Sequence, residues 1–297
     1  MNALTAVQVE RVERWMNSSV ADANERQTIQ RKLAVLRNLL PSGHPQALRT
    51  LAQLTLDVSW FVESAVIDGQ FAPHLLASLD DVCASSAELD QLAALSGGDD
   101  AQSTPLLDHL LRAYGDELCE ALHWRRGALV YMYCATATKG VGDDDSDSDR
   151  MRAVLAPVAP LMERAVHEFL CMLYSRRALW DVDAEPSEHD VARLSAVGVF
   201  GDVSILCLMY AAELSYWFAR YCSADEIGGA TLPFRGLTTD GAAPLPAHPW
   251  LPAATLTRHE RAVWLLQRFL LAVSVLPAPV RESWQTERAQ LLLSKLA

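Results

Sequence analysis

Three aspartates in the run Gly140 to Asp149 (GVGDDDSDSD) stand at the DDxxD spacing that isoprenoid synthases use to hold magnesium against a diphosphate: Asp143, Asp144 and Asp147. Such a motif works from a helix lining a cavity, where its carboxylates converge on hydrated ions. Here it lies between glycines in a serine–aspartate run, and no second metal motif of the NDxxSxxxE kind follows in the later helices. An acidic, solvated linker over 140–149 is the expectation. Ser146 and Ser148, surrounded by carboxylates, then read as acceptors for an acid-directed kinase. A magnesium-dependent isoprenoid-synthase-like enzyme stands as the alternative. His167 and Cys171 are four apart and share a helix face, but two ligands do not make a zinc site and the spacing offers no third. His123, beside Trp124, has no nameable nucleophile or substrate partner. GxSxG, a Walker A lysine, a strand-borne GxGxxG and a catalytic Cys–His signature are missing from the sequence. The expectation is a binding or scaffolding protein, not an enzyme, with no cofactor and no metal.

The charges inside apolar segments need another account. Glu117 and Glu120 precede Arg125 and Arg126 in one helical stretch, and Glu213 sits between Ala212 and Leu214 in a nearly charge-free one. A buried carboxylate without a partner is costly. Two readings stay open. In the first, Glu213, Asp57 or Glu63 accepts Arg125 or Arg126 between packed helices. In the second, Trp124 and one of these arginines face outwards and dock a partner protein, because tryptophan and arginine are over-represented at interface hot spots.

Composition bounds the class. The 297 residues suffice for one large domain or two small ones, and a single helical domain over 1–297 is expected. A hydrophobic fraction of 51% supplies a core, and the formal net charge of −12 opposes nucleic acid and anionic lipid. The first fifteen residues meet Glu10, Arg11, Glu13 and Arg14 before any apolar run forms, so no signal peptide is read there. No stretch approaches the roughly 20 apolar residues of a membrane span. The six cysteines contain no CxxC pair, and several lie in apolar helical stretches; they read as reduced core thiols of a cytosolic protein.

Helical periodicity runs through nearly the whole chain. Helices are expected over 5–20, 22–40, 45–68 and 73–95, the last with Pro73 in its first turn. A long central helix opens at Thr104-Pro105 and reaches about Lys139. Gly115 and Gly127 interrupt it and mark kinks or close crossings, so it could be two helices. Further helices cover about 150–180, where Pro157 and Pro160 near the start are expected to delay or bend the helix, a short piece from Ser187 to Val197, and 198–222, which Asp202 can cap. Residues 223–254, rich in Gly, Pro, Ala and Thr, read as a long irregular loop. Two last helices, 255–276 and 278–295, follow. The fold expected is all-α, an antiparallel bundle of roughly nine helices.

Three blocks carry a resemblance. They are Gly115-Asp116-Glu117-Leu118 with Trp124-Arg125-Arg126-Gly127-Ala128-Leu129, Tyr131-Met132-Tyr133-Cys134 and Thr138-Lys139; Leu56-Asp57, Phe61, Glu63, Asp68 and Phe71; and Gly198, Phe200, Asp202, Leu206, Met209-Tyr210, Glu213, Tyr216-Trp217 and Tyr221-Cys222. In these blocks the chain closely resembles the family of Rab-7-interacting subunits of the Mon/Ccz complex; before residue 45 and after Asp225 the likeness is weak. The resemblance implies a non-enzymatic cytosolic protein associated with the Rab-7 GTPase and its guanine-nucleotide exchange complex, Mon/Ccz. It also implies a part in late-endosome traffic and mitophagy, bringing Rab-7 and autophagy-protein vesicles to damaged mitochondria and protecting Rab-7 from proteasomal loss. It assigns no contact residues.

Overall fold

The computed structural model describes residues 3–41, 44, 46–96, 106–141, 147–175, 202–222, 256–284 and 286–297. Among these residues every regular element is helical. They fall into two compact units, one reaching to Leu122 and the other beginning at His123.

In the first unit, α1 (Ala3–Ser19), α2 (Ala23–Leu39), α3 (Gln46–Asp68), α4 (Leu76–Ser96) and α5 (Leu106–Tyr114) are followed by the first turns of α6 (Asp116–Ala137). Asp22 caps α2, its side chain accepting from the Asn24 and Glu25 N–H groups that the first turn leaves without a carbonyl. The core is built on helical spacing, with Leu33 and Leu36 of α2, Leu51, Leu54 and Val58 of α3, and Leu89 and Leu92 of α4 all buried. The central helix of the unit is α3, which packs on α1, α2, α4 and α5. It ends at Gly69, after which Gln70 and Phe71 both take positive φ, 51° and 54°. That conformation costs about 1–2 kcal/mol per non-glycine residue. Burial of the Phe71 ring and a 2.9 Å bond from its N–H to the Val66 carbonyl offset it. Pro73 opens a 3₁₀ turn, Pro73–Leu75, that leads into α4.

The helix α1 is tied to α4 by a polar ladder. Arg11 bonds Asp81 (3.0 Å) and Glu88 (2.8 Å), and Gln8 bonds the Ser85 carbonyl (2.8 Å) and Glu88 (2.9 Å). The Trp15 indole N–H donates to Asp81 at 2.9 Å. Asp81 and Glu88 are seven apart, so two turns of α4 present both acids to one stripe of α1.

The second unit holds the rest of α6, then α7 (Ser148–Leu155), a 3₁₀ turn Ala156–Val158, α8 (Ala159–Ser175), α9 (Asp202–Tyr221), α10 (Arg258–Ser274), the single turn α11 (Ala278–Arg281) and α12 (Thr286–Leu296). Its centre is α9, whose residues 211–218 are all buried against α8 and α10. Thr257 and Glu260 close a capping box at the start of α10.

The long central helix is two helices. Gly115 takes φ +84° between α5 and α6, a left-handed turn that lacks a Cβ penalty only in glycine. Gly127 interrupts nothing and lies inside α6. The stretch expected as one helix over 150–180 is broken after Leu155 because Pro157 has no N–H to give. The acidic run also ends earlier than Asp149: α7 begins at Ser148, and acids in a first turn suit the positive end of the helix dipole. Thr104-Pro105, the piece from Ser187 to Val197 and the loop 223–254 lie outside the described residues, as does the side chain of Asp202.

Candidate functional site

In the second unit α6 and α9 meet through four aromatic rings. Trp124 and Tyr131 are seven apart on α6; Tyr210 and Trp217 are seven apart on α9. Seven residues make two turns and about 10 Å of rise, so each pair points one way and leaves a gap one ring deep. The rings interleave. Trp124 stacks on Tyr210 with centroids 5.7 Å apart, Tyr210 on Tyr131 at 3.7 Å, and Tyr131 on Trp217 at 6.0 Å, with interplanar angles of 17°, 10° and 8°. Phe169 of α8 leans on the column, 5.8 Å from Trp124 and 6.2 Å from Tyr210. Gly127 makes room for it: a Cβ there would stand 2.7 Å from the Phe169 ring. The glycine therefore marks a close helix crossing.

Two buried carboxylates flank the column. Glu168 on α8 is 1% exposed. It accepts from His123 Nδ1 at 2.6 Å and from Arg164 Nε, one turn earlier, at 2.6 Å, and Arg126 Nη1 lies at 3.6 Å. Burial by itself would raise its pKa; Arg126, Arg164 and the hydrogen bond from His123 outweigh that and hold the carboxyl well below its usual range. The second acid is Glu213 on α9. It accepts the Tyr131 hydroxyl at 2.5 Å and the guanidinium of Arg288 from α12. Burial first, then the adjacent Glu213 charge, push the Tyr131 phenol up, so Tyr131 stays a donor throughout the physiological range. Nearby, Glu163 of α8 takes Arg261 of α10 at 2.9 Å.

Several residues singled out in the sequence sit in this unit. Arg126 is buried and forms an ion pair with Glu168 at 3.6 Å. Glu213 takes Tyr131 and Arg288. Asp57 belongs to the first unit, where Lys32 and Gln53 each bond it at 2.7 Å. Glu63 is buried on α3. Trp124 is half-buried within the ring column, and Arg125 is half-buried beside it. Glu168 was missed because it lies in the apolar run Val166 to Leu173, which reads as plain core. Arg164 four residues earlier was the available signal, since i,i+4 pairs share a face. Cys171 Sγ and His167 Nδ1 lie 3.5 Å apart on α8. No cluster of three or more His, Cys, Asp or Glu side chains able to hold a metal occurs among the described residues. Asp143, Asp144 and Ser146 lie outside the described residues; Asp147 precedes α7 and Ser148 is its first residue.

The geometry defines a class: an all-helical protein in which the acids and arginines of the centre pair with one another and the aromatic rings bind helix to helix. The chain belongs to the family described as RAB7A-interacting MON1-CCZ1 complex subunit 1, whose family model matches residues 30–295. The mouse protein of that name is 27% identical over 260 residues, covering 85% of this chain and 78% of its own length. The human protein is 27% identical over 192 residues, covering 62% of this chain and 58% of its own. The zebrafish (Danio rerio) protein is 26% identical over 264 residues, covering 86% and 80%. No solved structure matches the chain significantly. Among the described residues no helix is long and apolar enough to cross a membrane.

Proposed function

We propose that the chain is a non-enzymatic adaptor that binds the Rab-7 GTPase and the Mon/Ccz exchange complex. In this reading it works in the cytosol, is recruited to late endosomes and damaged mitochondria through those partners, and supports mitophagy by bringing Rab-7 there and prolonging its lifetime. The observation that carries the reading is the family match across 30–295, together with relatives named for interaction with RAB7A and MON1-CCZ1. A second unit whose central charges pair internally and whose rings lock helix to helix suits a protein that presents surfaces to other proteins. Affinity capture of the tagged full chain from cells tests it. Recovery of Rab-7 and Mon/Ccz subunits is expected; recovery of neither overturns it.

The acidic run gives this adaptor a place for control, with Ser146 and Ser148 as kinase acceptors. A phosphate on Ser148 would meet the N–H groups at the start of α7, where negative charge is favoured. Phosphopeptide mapping should find at least one of the two serines modified.

A further inference from the structure

The last helix of the second unit is lightly seated. Of the eleven residues of α12, Ala289 and Leu292 are the buried ones, against seven of the seventeen in α10. A helix that short is marginal in water by itself, so α12 owes its helical form to its seat on α10 and, less extensively, on α9. The segment before it is fixed at two points. The Trp284 ring meets Phe269 of α10 edge-on, with centroids 6.2 Å apart and planes at 72°. Arg281 Nη1 donates to the Ser274 carbonyl at the end of α10 at 3.4 Å. The chain is thus held as far as Trp284, and any swing of α12 has its pivot at the start of that helix.

One polar contact reaches from α12 to the centre of the unit. Arg288 pairs with Glu213 of α9, the carboxylate that also accepts the Tyr131 hydroxyl at 2.5 Å. The two ends of the pair are unequal: the arginine side chain is 44% exposed and the glutamate side chain 5%. Arg288 is therefore already solvated over much of its length, while Glu213 is covered. If α12 lifts, the guanidinium goes to water and Glu213 keeps the Tyr131 hydroxyl.

We infer that α12 is a latch, closed by Arg288 over Glu213 and by Leu292 on its seat, that opens as a unit while α8, α9, α10 and the ring column stay folded. The chain then has two native states, which differ in whether the Glu213 carboxylate meets solvent. The physical ground is that segments with few buried apolar contacts open below the free energy of global unfolding. Opening also melts α12, because eleven residues off their seat do not hold a helix.

Hydrogen exchange of the full chain, read by mass spectrometry on peptides from α9, α10 and α12, tests the latch. In wild type the α12 amides should exchange at least about a hundredfold faster than the slowest amides of α9, yet more slowly than those of an unstructured peptide. Arg288→Ala and Leu292→Ala each remove a closing contact and should each speed α12 exchange at least about tenfold. Glu168→Gln weakens a cluster of α6 and α8 that stays intact while α12 is open. It should speed α9 exchange at least about a hundredfold and leave α12 within about twofold of wild type. Exchange of α12 as slow as that of α9, or rising in step with α9 in Glu168→Gln, means that α12 leaves only when the unit unfolds, and overturns the latch. Wild-type α12 rates in Arg288→Ala overturn its closure through Glu213. Wild-type α12 amides that exchange like an unstructured peptide have no closed state, and that result overturns the latch as well.

Discussion

Glu168 carries its charge in a buried place, and the hydrogen bonds from His123 and Arg164 with the Arg126 charge at 3.6 Å make that possible. Removing a buried charge's partner costs about 3–5 kcal/mol, because the groups left behind remain desolvated. Glu168→Gln keeps the shape but leaves Arg126 and Arg164 facing a neutral amide, so it should destabilise the chain by about 3–5 kcal/mol in urea unfolding. The pH dependence follows from the depressed pKa. An unfolded glutamate titrates near 4.3. Above that value both states are ionised and the contribution of Glu168 is fully present. As the pH falls below it, the unfolded state gains a proton that the folded state refuses, and the contribution is lost until the folded carboxyl also titrates. Urea midpoints measured from pH 6 down to pH 2 should therefore fall less steeply below about 4.3 in Glu168→Gln than in wild type. Equal slopes would mean that Glu168 is not held as a charged acceptor.

At the scale of the helix, Gly127 and Gly115 show how one residue type has two physical roles. At Gly115 the backbone is left-handed, whereas the sequence reading of a split helix rested on glycine's low helix propensity. At Gly127 the backbone is helical, and alanine would improve propensity by about 1 kcal/mol. The Phe169 ring reverses the sign: a Cβ 2.7 Å from it overpacks the crossing, and overpacking costs about 1–3 kcal/mol. Gly127→Ala should lower the melting temperature, and Phe169→Leu in the same chain should restore part of the loss; a stabilised Gly127→Ala would show that α6 and α8 do not cross so closely. Sequence periodicity made the all-helical class legible, because leucine and alanine spacing repeats through α2, α3 and α9. It also named Arg126 and Glu213 as buried charges in need of partners. It could not match them, since pairing depends on which helices touch: Glu168 and Arg288 reach those sites from 42 and 75 residues away in the chain.

For the whole molecule, two units with separate cores bury nearly every cysteine they contain. Cys83, Cys119, Cys134, Cys171 and Cys207 are buried and Cys222 is half-exposed; none forms a disulfide. Thiol reagents attack the thiolate, so reactivity needs both access and an ordinary or lowered pKa. Cys134 has neither, because burial pushes its thiol up before the neighbouring Cys222 adds to the effect. The reaction of the others waits on opening of a core, whose free-energy cost approaches that of global unfolding for the best-packed segments. In the native chain a short maleimide pulse should label Cys222 alone, and in strong urea all six thiols should react; peptide mapping reads out both. Fast native labelling of Cys83 or Cys119 would show that the first unit opens locally, and fast labelling of Cys171 or Cys207 would show the same for the second. Because the two sets of cysteines report on different cores, the same experiment run across urea concentrations also tests whether the units unfold together: coincident loss of protection means one cooperative transition, and separate midpoints mean two.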